Sequence, residues 1–195
     1  ITFNFFFWAS FQIFGSVPSI FTHSLVGLVA GKILSPVISS KRFWILSLVY
    51  PSLPDADVLG TAFGIPHEHL LGHRGLTHSI LFALIVGLLT AVFFFRKEIR
   101  SPKKTFILAS YFALITMSHG ILDGLNNGGI GVAYFSPLSN TRYFFPFRPI
   151  EVSPIGLAFF GERGFVVFQS ELIWVWAPLL STLIVYSFIR NKLRN

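Results

Sequence analysis

Three short stretches hold most of the side chains in this sequence that could do chemistry. They are Pro54-Asp55-Ala56-Asp57, Gly72-His73-Arg74-Gly75-Leu76-Thr77-His78-Ser79 and His119-Gly120-Ile121-Leu122-Asp123. Imidazoles and carboxylates, with no cysteine anywhere in the chain, are the donors of a borderline-to-hard divalent ion, zinc first and manganese second. His119 and Asp123 are four apart and share one face of a helix, so they can chelate one ion. His73 and His78 are five apart, about 140° out of phase on a regular helix. They converge only if Gly75 breaks the backbone, with His73 in a loop and His78 in a first helical turn. Asp55 and Asp57 fall on one side of an extended segment, where one can ligate while the other bridges or orients a histidine. His23 opens a further helix. Each fragment alone has an ordinary reading: a surface histidine, a turn after proline, an exposed ion pair. Against a membrane those readings weaken, because ionisable groups at spans are rare and usually functional. His67, Glu68 and His69 sit in a loop and read as solvated.

The elements that must position these groups are apolar. The 195 residues are 53% hydrophobic and 12% charged, with a mean hydropathy of +0.68. Soluble domains carry roughly a quarter charged residues, so the composition predicts an all-α, polytopic integral membrane protein of about five spans, forming a single domain over residues 1–195. Residues 1–17 read as an interfacial or partial helix. A helical pattern runs from Pro18 to about Leu34. Phe43 to Leu53 is apolar and broken by Pro51 and Pro54. Thr77 to Phe95 gives 19 residues without a charge, roughly 28 Å of helix with Thr77 as its cap. Thr105 to Leu122 is the next span, and residues 123–170 read as a loop region without helical period. Leu172 to Ile189 is the last span, with Trp174 and Trp176 as interfacial anchors.

The net charge of +7 could suggest nucleic acid, but the cations flank hydrophobic spans, which excludes a nucleic-acid groove as the economical reading. Placing the Arg96–Lys104 loop in the cytoplasm puts Lys32, Lys41, Arg42 and the C-terminal Arg190, Lys192 and Arg194 there as well. All six histidines and every carboxylate except Glu98 then fall on the non-cytoplasmic face. The orientation uses lysine and arginine alone, so this clustering is an independent result. It predicts that the three stretches meet at one membrane surface.

The stretches Leu53 to Asp57, Gly72 to Ser79 and Ser118 to Asp123 resemble the successive motifs of a membrane-bound, metal-dependent hydrolase family that includes an SOS-regulated bacterial inner-membrane protein. That family is in turn similar to zinc-dependent phospholipase C and the single-strand nucleases, which hold zinc with His and Asp from a helical core. The resemblance implies ligation by His23, Asp55 or Asp57, His73, His78, His119 and Asp123. Val58 stands where family members often carry a histidine, so one ligand or supporting group is absent. A bacterial or archaeal inner-membrane location follows from the same resemblance.

With more N and O donors than one zinc needs, one to three ions are expected, and a metal-activated water would attack a phosphoester. Asp55 or Asp57 would hold the nucleophile. Arg74 would neutralise phosphoryl oxygens, while Arg142 and Arg148 would position an anionic headgroup. The substrate class is a lipid phosphoester or another interfacial phosphate. A metal-ion transporter is the first rival, although transporters usually place ionisable groups near mid-span. A structural protein whose metal staples helices together is the second.

Overall fold

Serines and prolines set where the helices of this chain begin and break. The computed structural model describes residues 19–154 and 159–194, and the reading of residues 1–17 falls outside that range. Helix α1, Ile20–Leu34, opens on Ser19, whose Oγ accepts the Thr22 N–H. Helix α2, Lys41–Val49, opens in the same way on Ser40. These caps satisfy donors that a first helical turn leaves free. Pro51 and Pro54 cannot donate into an α-ladder, so the chain tightens into a 3₁₀ helix, Tyr50–Asp57, before the short α3, Val58–Ala62. A loop and a second 3₁₀ turn, Leu76–His78, lead into α4, Ile80–Phe94, capped by Ser79. Helix α5, Pro102–Gly124, carries Pro102 in its first turn, where a missing N–H costs nothing. Helix α6, Glu162–Glu171, passes through a π turn, Leu172–Trp176, into α7, Ala177–Arg194. Among the described residues all regular elements are helical, and the β-type pairings are isolated bridges, Asn126 with Ile150 and Val132 with Tyr143.

Three local expectations are corrected. Asp55 and Asp57 lie on a 3₁₀ helix rather than an extended segment, because the two prolines compress the chain without straightening it. The helix after the central motif begins at Ile80 and takes Ser79 as its cap; the Thr77 hydroxyl donates to Asp57 instead. Residues 162–171, inside the region read as loop, form α6. Ten residues are too few to show a period, but Glu162 places an acid in the first turn, where the helix dipole favours it.

Close approach between helices depends on small residues. Helices α4 and α5 run antiparallel, with Gly87 against Ala109 and Ala113. A Cβ at Gly87 would sit 2.3 Å from the Ala109 carbonyl oxygen. Gly27 of α1 is tighter still, where a Cβ would lie 1.8 Å from the Ser47 carbonyl oxygen of α2. Tyr111 of α5 crosses this seam and hydrogen-bonds to Ser47 Oγ at 2.7 Å. Such contacts hold helices together where burial of apolar surface from water gives no net drive. The aromatic core of Phe43, Phe95, Tyr111 and Phe112 lies toward the end of the bundle away from the histidines. Arg42 Nη1 closes that end on the Phe94 carbonyl.

Among the described residues, two helical stretches are long and apolar enough to cross a membrane, Pro102–Gly124 and the continuous Glu162–Arg194. Helices α1 and α4 are shorter, at 15 residues each. The last helix buries no residue between Ala177 and Arg194 and presents Ile184, Val185 and Phe188 outward, the last of them 71% exposed. Large exposed apolar faces of this kind belong in lipid.

Candidate metal centre

The 3₁₀ helix, the central loop and the last turn of α5 all deliver side chains to one buried point. Oxygen or nitrogen atoms of Asp55, His78, His119 and Asp123 lie within 4.8 Å of one another, and those of Asp57, His73 and His78 form a second group sharing His78. His23 joins the first group from the opening turn of α1. Its ring stacks on that of His119 with 4.0 Å between centroids, and its Nε2 is 4.0 Å from Asp123 Oδ1. All seven residues picked as ligands from the sequence therefore come together, although they span a hundred positions of chain.

Helix starts and a strained residue explain how. His78 ends the 3₁₀ turn just before α4, so its ring points back across the bundle toward α5. Arg74 has φ of 62°, the left-handed region that non-glycine residues seldom enter. Four contacts hold it there. Its N–H donates to Asp57 Oδ2 at 3.2 Å and its carbonyl accepts from Ala133 N. Its Nε lies 3.0 Å from Asp123 Oδ2, and its Nη1 donates to the Gly128 carbonyl at 3.1 Å. The guanidinium is completely buried and paired with a carboxylate of the centre.

Hydrogen bonds fix how the imidazoles face. His119 Nδ1 lies 2.7 Å from the Pro51 carbonyl, which can only accept, so this nitrogen carries a proton. Its Nε2 then faces Asp55 Oδ1 at 3.1 Å and Asp123 Oδ2 at 3.8 Å. His78 turns Nδ1 to Asp57 Oδ2 at 3.2 Å and Nε2 to Asp123 Oδ2 at 3.4 Å. A lone pair aimed at carboxylate oxygens is repulsive unless positive charge stands between them. Both nitrogens of His23, Nε2 of His78 and Oδ1 of Asp123 are buried without a hydrogen-bond partner. Orphaned buried atoms of this kind call for an occupant.

Asp57 differs from Asp55. It takes His73 Nδ1 at 2.8 Å, His78 Nδ1, the Thr77 hydroxyl at 2.5 Å and the Arg74 N–H. Asp55 faces His119 Nε2 at 3.1 Å and His78 Nε2 at 3.7 Å. Burial lowers His78, yet the carboxylates of Asp123, Asp55 and Asp57 raise it well above the ordinary histidine value. That shift expresses a demand for positive charge at this point. Before the imidazoles are counted, three carboxylates against one guanidinium leave a net charge of −2, which one divalent ion neutralises. The donor set therefore fits a divalent metal.

The remaining candidates lie around the centre. Arg142 gives Nη1 to the His73 carbonyl at 3.0 Å and Nη2 to the His67 carbonyl, so it fastens the central loop. Arg148 stacks over the Phe144 ring, 4.7 Å from its centroid, on the exposed aromatic loop. His67 approaches the His73 ring at 6.0 Å, and His69 Nδ1 accepts from the Leu71 N–H. Glu171 immediately precedes the span read from the sequence as Leu172 to Ile189. It is fully buried and accepts from Ser19 N at 2.5 Å, Ser19 Oγ at 2.6 Å and Thr22 Oγ1 at 2.8 Å. It thus anchors the start of the helix that carries His23. The available signal was a lone carboxylate opening an apolar stretch.

Comparison with known proteins supplies the setting for this site. Residues 19–193 match the family described as YdjM inner membrane protein. The chain is 37% identical over 163 residues to the inner membrane protein YbcI of Escherichia coli (strain K12), covering 83% of this chain and 92% of that protein. No solved structure matches it.

Proposed function

The chain belongs to the YdjM inner membrane protein family, and from that premise we propose a polytopic membrane hydrolase whose divalent-metal centre cleaves phosphoesters at the non-cytoplasmic membrane face. In the proposed topology five segments would cross: α1, α2 with its 3₁₀ extension, α4, α5, and α6 running through α7; the length and apolarity of α5 and of the continuous α6–α7 support it. Lys32, Arg42, Arg96, Lys104 and Arg190 lie at or near the helix ends opposite the histidines, on the side the positive-inside rule assigns to the cytoplasm. The observation that carries the metal reading is His119, whose Nδ1 proton goes to Pro51 and whose Nε2 faces carboxylates.

Asp55, His78, His119 and Asp123 would hold the ion, with His23 beside them. A divalent ion bound there supplies Lewis acidity, acidifying water and polarising an ester oxygen. Asp57 has its oxygens committed, so it orients His73 and His78 and keeps the proton on Nδ1 of each. Asp55, the most exposed of the carboxylates, stands at the mouth and can take a proton from the attacking water at its free oxygen. Arg74 balances Asp123 from below. Zinc is the preferred ion, with manganese as the alternative, and the substrate class is a phosphoester presented at the membrane, a phospholipid included. The near-complete burial of four donors also supports a second reading, in which the ion staples α1, the 3₁₀ helix and α5 together.

Elemental analysis of the purified protein, followed by turnover on a panel of phosphomonoesters and diesters, tests both. The hydrolase reading expects stoichiometric metal in the wild type, loss of metal in His119→Ala, and metal-dependent cleavage of at least one ester. Full metal with no cleavage of any ester leaves the staple. Full occupancy in a His78→Ala, His119→Ala double variant would falsify the site itself.

A further inference from the structure

At the end of the molecule opposite the metal centre, a cavity of about 420 Å³ lies between α1 and α7. Its walls carry Lys32, Ser35, Tyr186, Arg190, Asn191 and Arg194. Three of these are cations and none is an acid. Among the described residues, none of the three is ion-paired. Like charges converging without a counter-charge repel each other. The Tyr186 hydroxyl donates to the Ile33 carbonyl at 3.1 Å, so the two helices are tied at this point rather than splayed apart.

The surroundings identify the ligand. Directly above the cationic walls, toward the membrane interior, α7 turns an apolar ridge of Leu180 and Ile184 outward, on the same stripe of the helix as Ser187 and Asn191. A free inorganic anion would use the cations and gain nothing from this ridge. An amphipathic anion uses both, its phosphate among Lys32, Arg190 and Arg194 and its acyl chains along the ridge. Helix α7 has no buried residue of its own, so lipid is already the neighbour of the groove. Ser35, Tyr186 and Asn191 add neutral polar groups able to bond headgroup hydroxyls.

We propose that this groove is a binding site for an anionic phospholipid, which fills the gap between α1 and α7 and fastens the last helix to the bundle. The proposal rests on the chain's membrane setting and not on the metal centre. Basic pockets between helices on the cytoplasmic side are suited to anionic headgroups.

The test uses the full-length protein purified in a neutral detergent. Thermal stability and lipid retention by native mass spectrometry are measured with phosphatidylglycerol, phosphatidylethanolamine and phosphatidylcholine, and with inorganic phosphate alone. Phosphatidylglycerol should be retained and should raise the melting temperature, while the two net-neutral lipids and phosphate should not. A Lys32→Gln, Arg190→Gln, Arg194→Gln variant should bind phosphatidylglycerol roughly a hundredfold more weakly. Arg190→Gln alone, which removes one cation and keeps a polar side chain, should weaken it by about fivefold. Metal content, read in the same samples, should not change. Equal retention of neutral lipid, stabilisation by inorganic phosphate alone, or unchanged phosphatidylglycerol binding in the triple variant would each overturn the proposal.

Discussion

Arg74 shows at the level of one residue how the same side chain can be read two ways. In the sequence it stands between two candidate ligand histidines, and a role on the phosphate of a substrate is the natural inference. In the fold it is wholly buried, bent into the left-handed region and held by Asp123, Gly128, Ala133 and Asp57. Removing one partner of a buried ion pair strands the other charge and typically costs about 3–5 kcal/mol. Arg74→Ala should therefore lower the melting temperature and the metal content together, and Arg74→Lys should restore little, since an ammonium cannot reach both Asp123 and the Gly128 carbonyl. Normal stability and full metal with lost turnover would instead return Arg74 to the substrate. The gathering of the seven candidate donors was legible because histidine and aspartate beside apolar spans are informative by type alone. The direction of the Arg74 side chain was not, since Asp123 and Gly128 are about fifty positions away and only the fold brings them near.

Helices were legible where they were long and uniformly apolar, as α4 and α5 are, and illegible where local chemistry competed. The 3₁₀ path through Tyr50–Asp57 depends on two prolines acting together, and α6 is too short and too mixed to stand out. The tightest seam, Gly27 against Ser47, left no trace beyond a single glycine in an apolar run. Gly27→Ala should push α1 off α2 and destabilise the fold by about 1–3 kcal/mol, the ordinary cost of overpacking, or more because the clash is with backbone. The readout is a melting curve in detergent. Gly60→Ala, whose new Cβ would meet the flexible Ile65 side chain at 3.3 Å and the Leu71 carbonyl oxygen at an ordinary 3.5 Å, serves as the comparison and should melt close to wild type. If both variants melt alike, the seam is looser than its geometry requires.

For the molecule as a whole, the sequence separated all the lysines and the arginines other than Arg74, Arg142, Arg148 and Arg163 from the histidines, and the fold places these two sets at opposite ends. The absence of native cysteine makes the orientation easy to test. Single cysteines at Asn127, exposed beside the centre, and at Lys103, exposed at the start of α5, can be probed in intact spheroplasts with a membrane-impermeant thiol reagent. Labelling is expected at 127 and not at 103, because the positive-inside rule keeps the cationic loop in the cytoplasm. The reverse pattern would place the metal centre in the cytoplasm and remove the non-cytoplasmic substrate from consideration. The joint between last helix and first was hidden from the sequence. Glu171 binds Ser19 and Thr22 across some 150 positions, a contact no local pattern announces.

Asp55 alone among the donors of the first group opens to solvent, with 26% of its side chain exposed, while His78, His119 and Asp123 are closed off. Thermodynamic affinity is shared among all the donors, but any ion entering or leaving has to pass this one carboxylate. Exchange should therefore be slow in the wild type, with bound metal leaving to an excess of chelator over a long single-exponential decay. In Asp55→Ala that decay should be far faster than the fall in affinity explains, because the substitution removes a ligand and widens the doorway at once. His23→Ala removes a neighbouring donor from the closed side and should weaken binding without the added acceleration. Stopped-flow or slow-mixing release into a chromogenic chelator measures both. Equal acceleration in the two variants would mean that the ion has another way out.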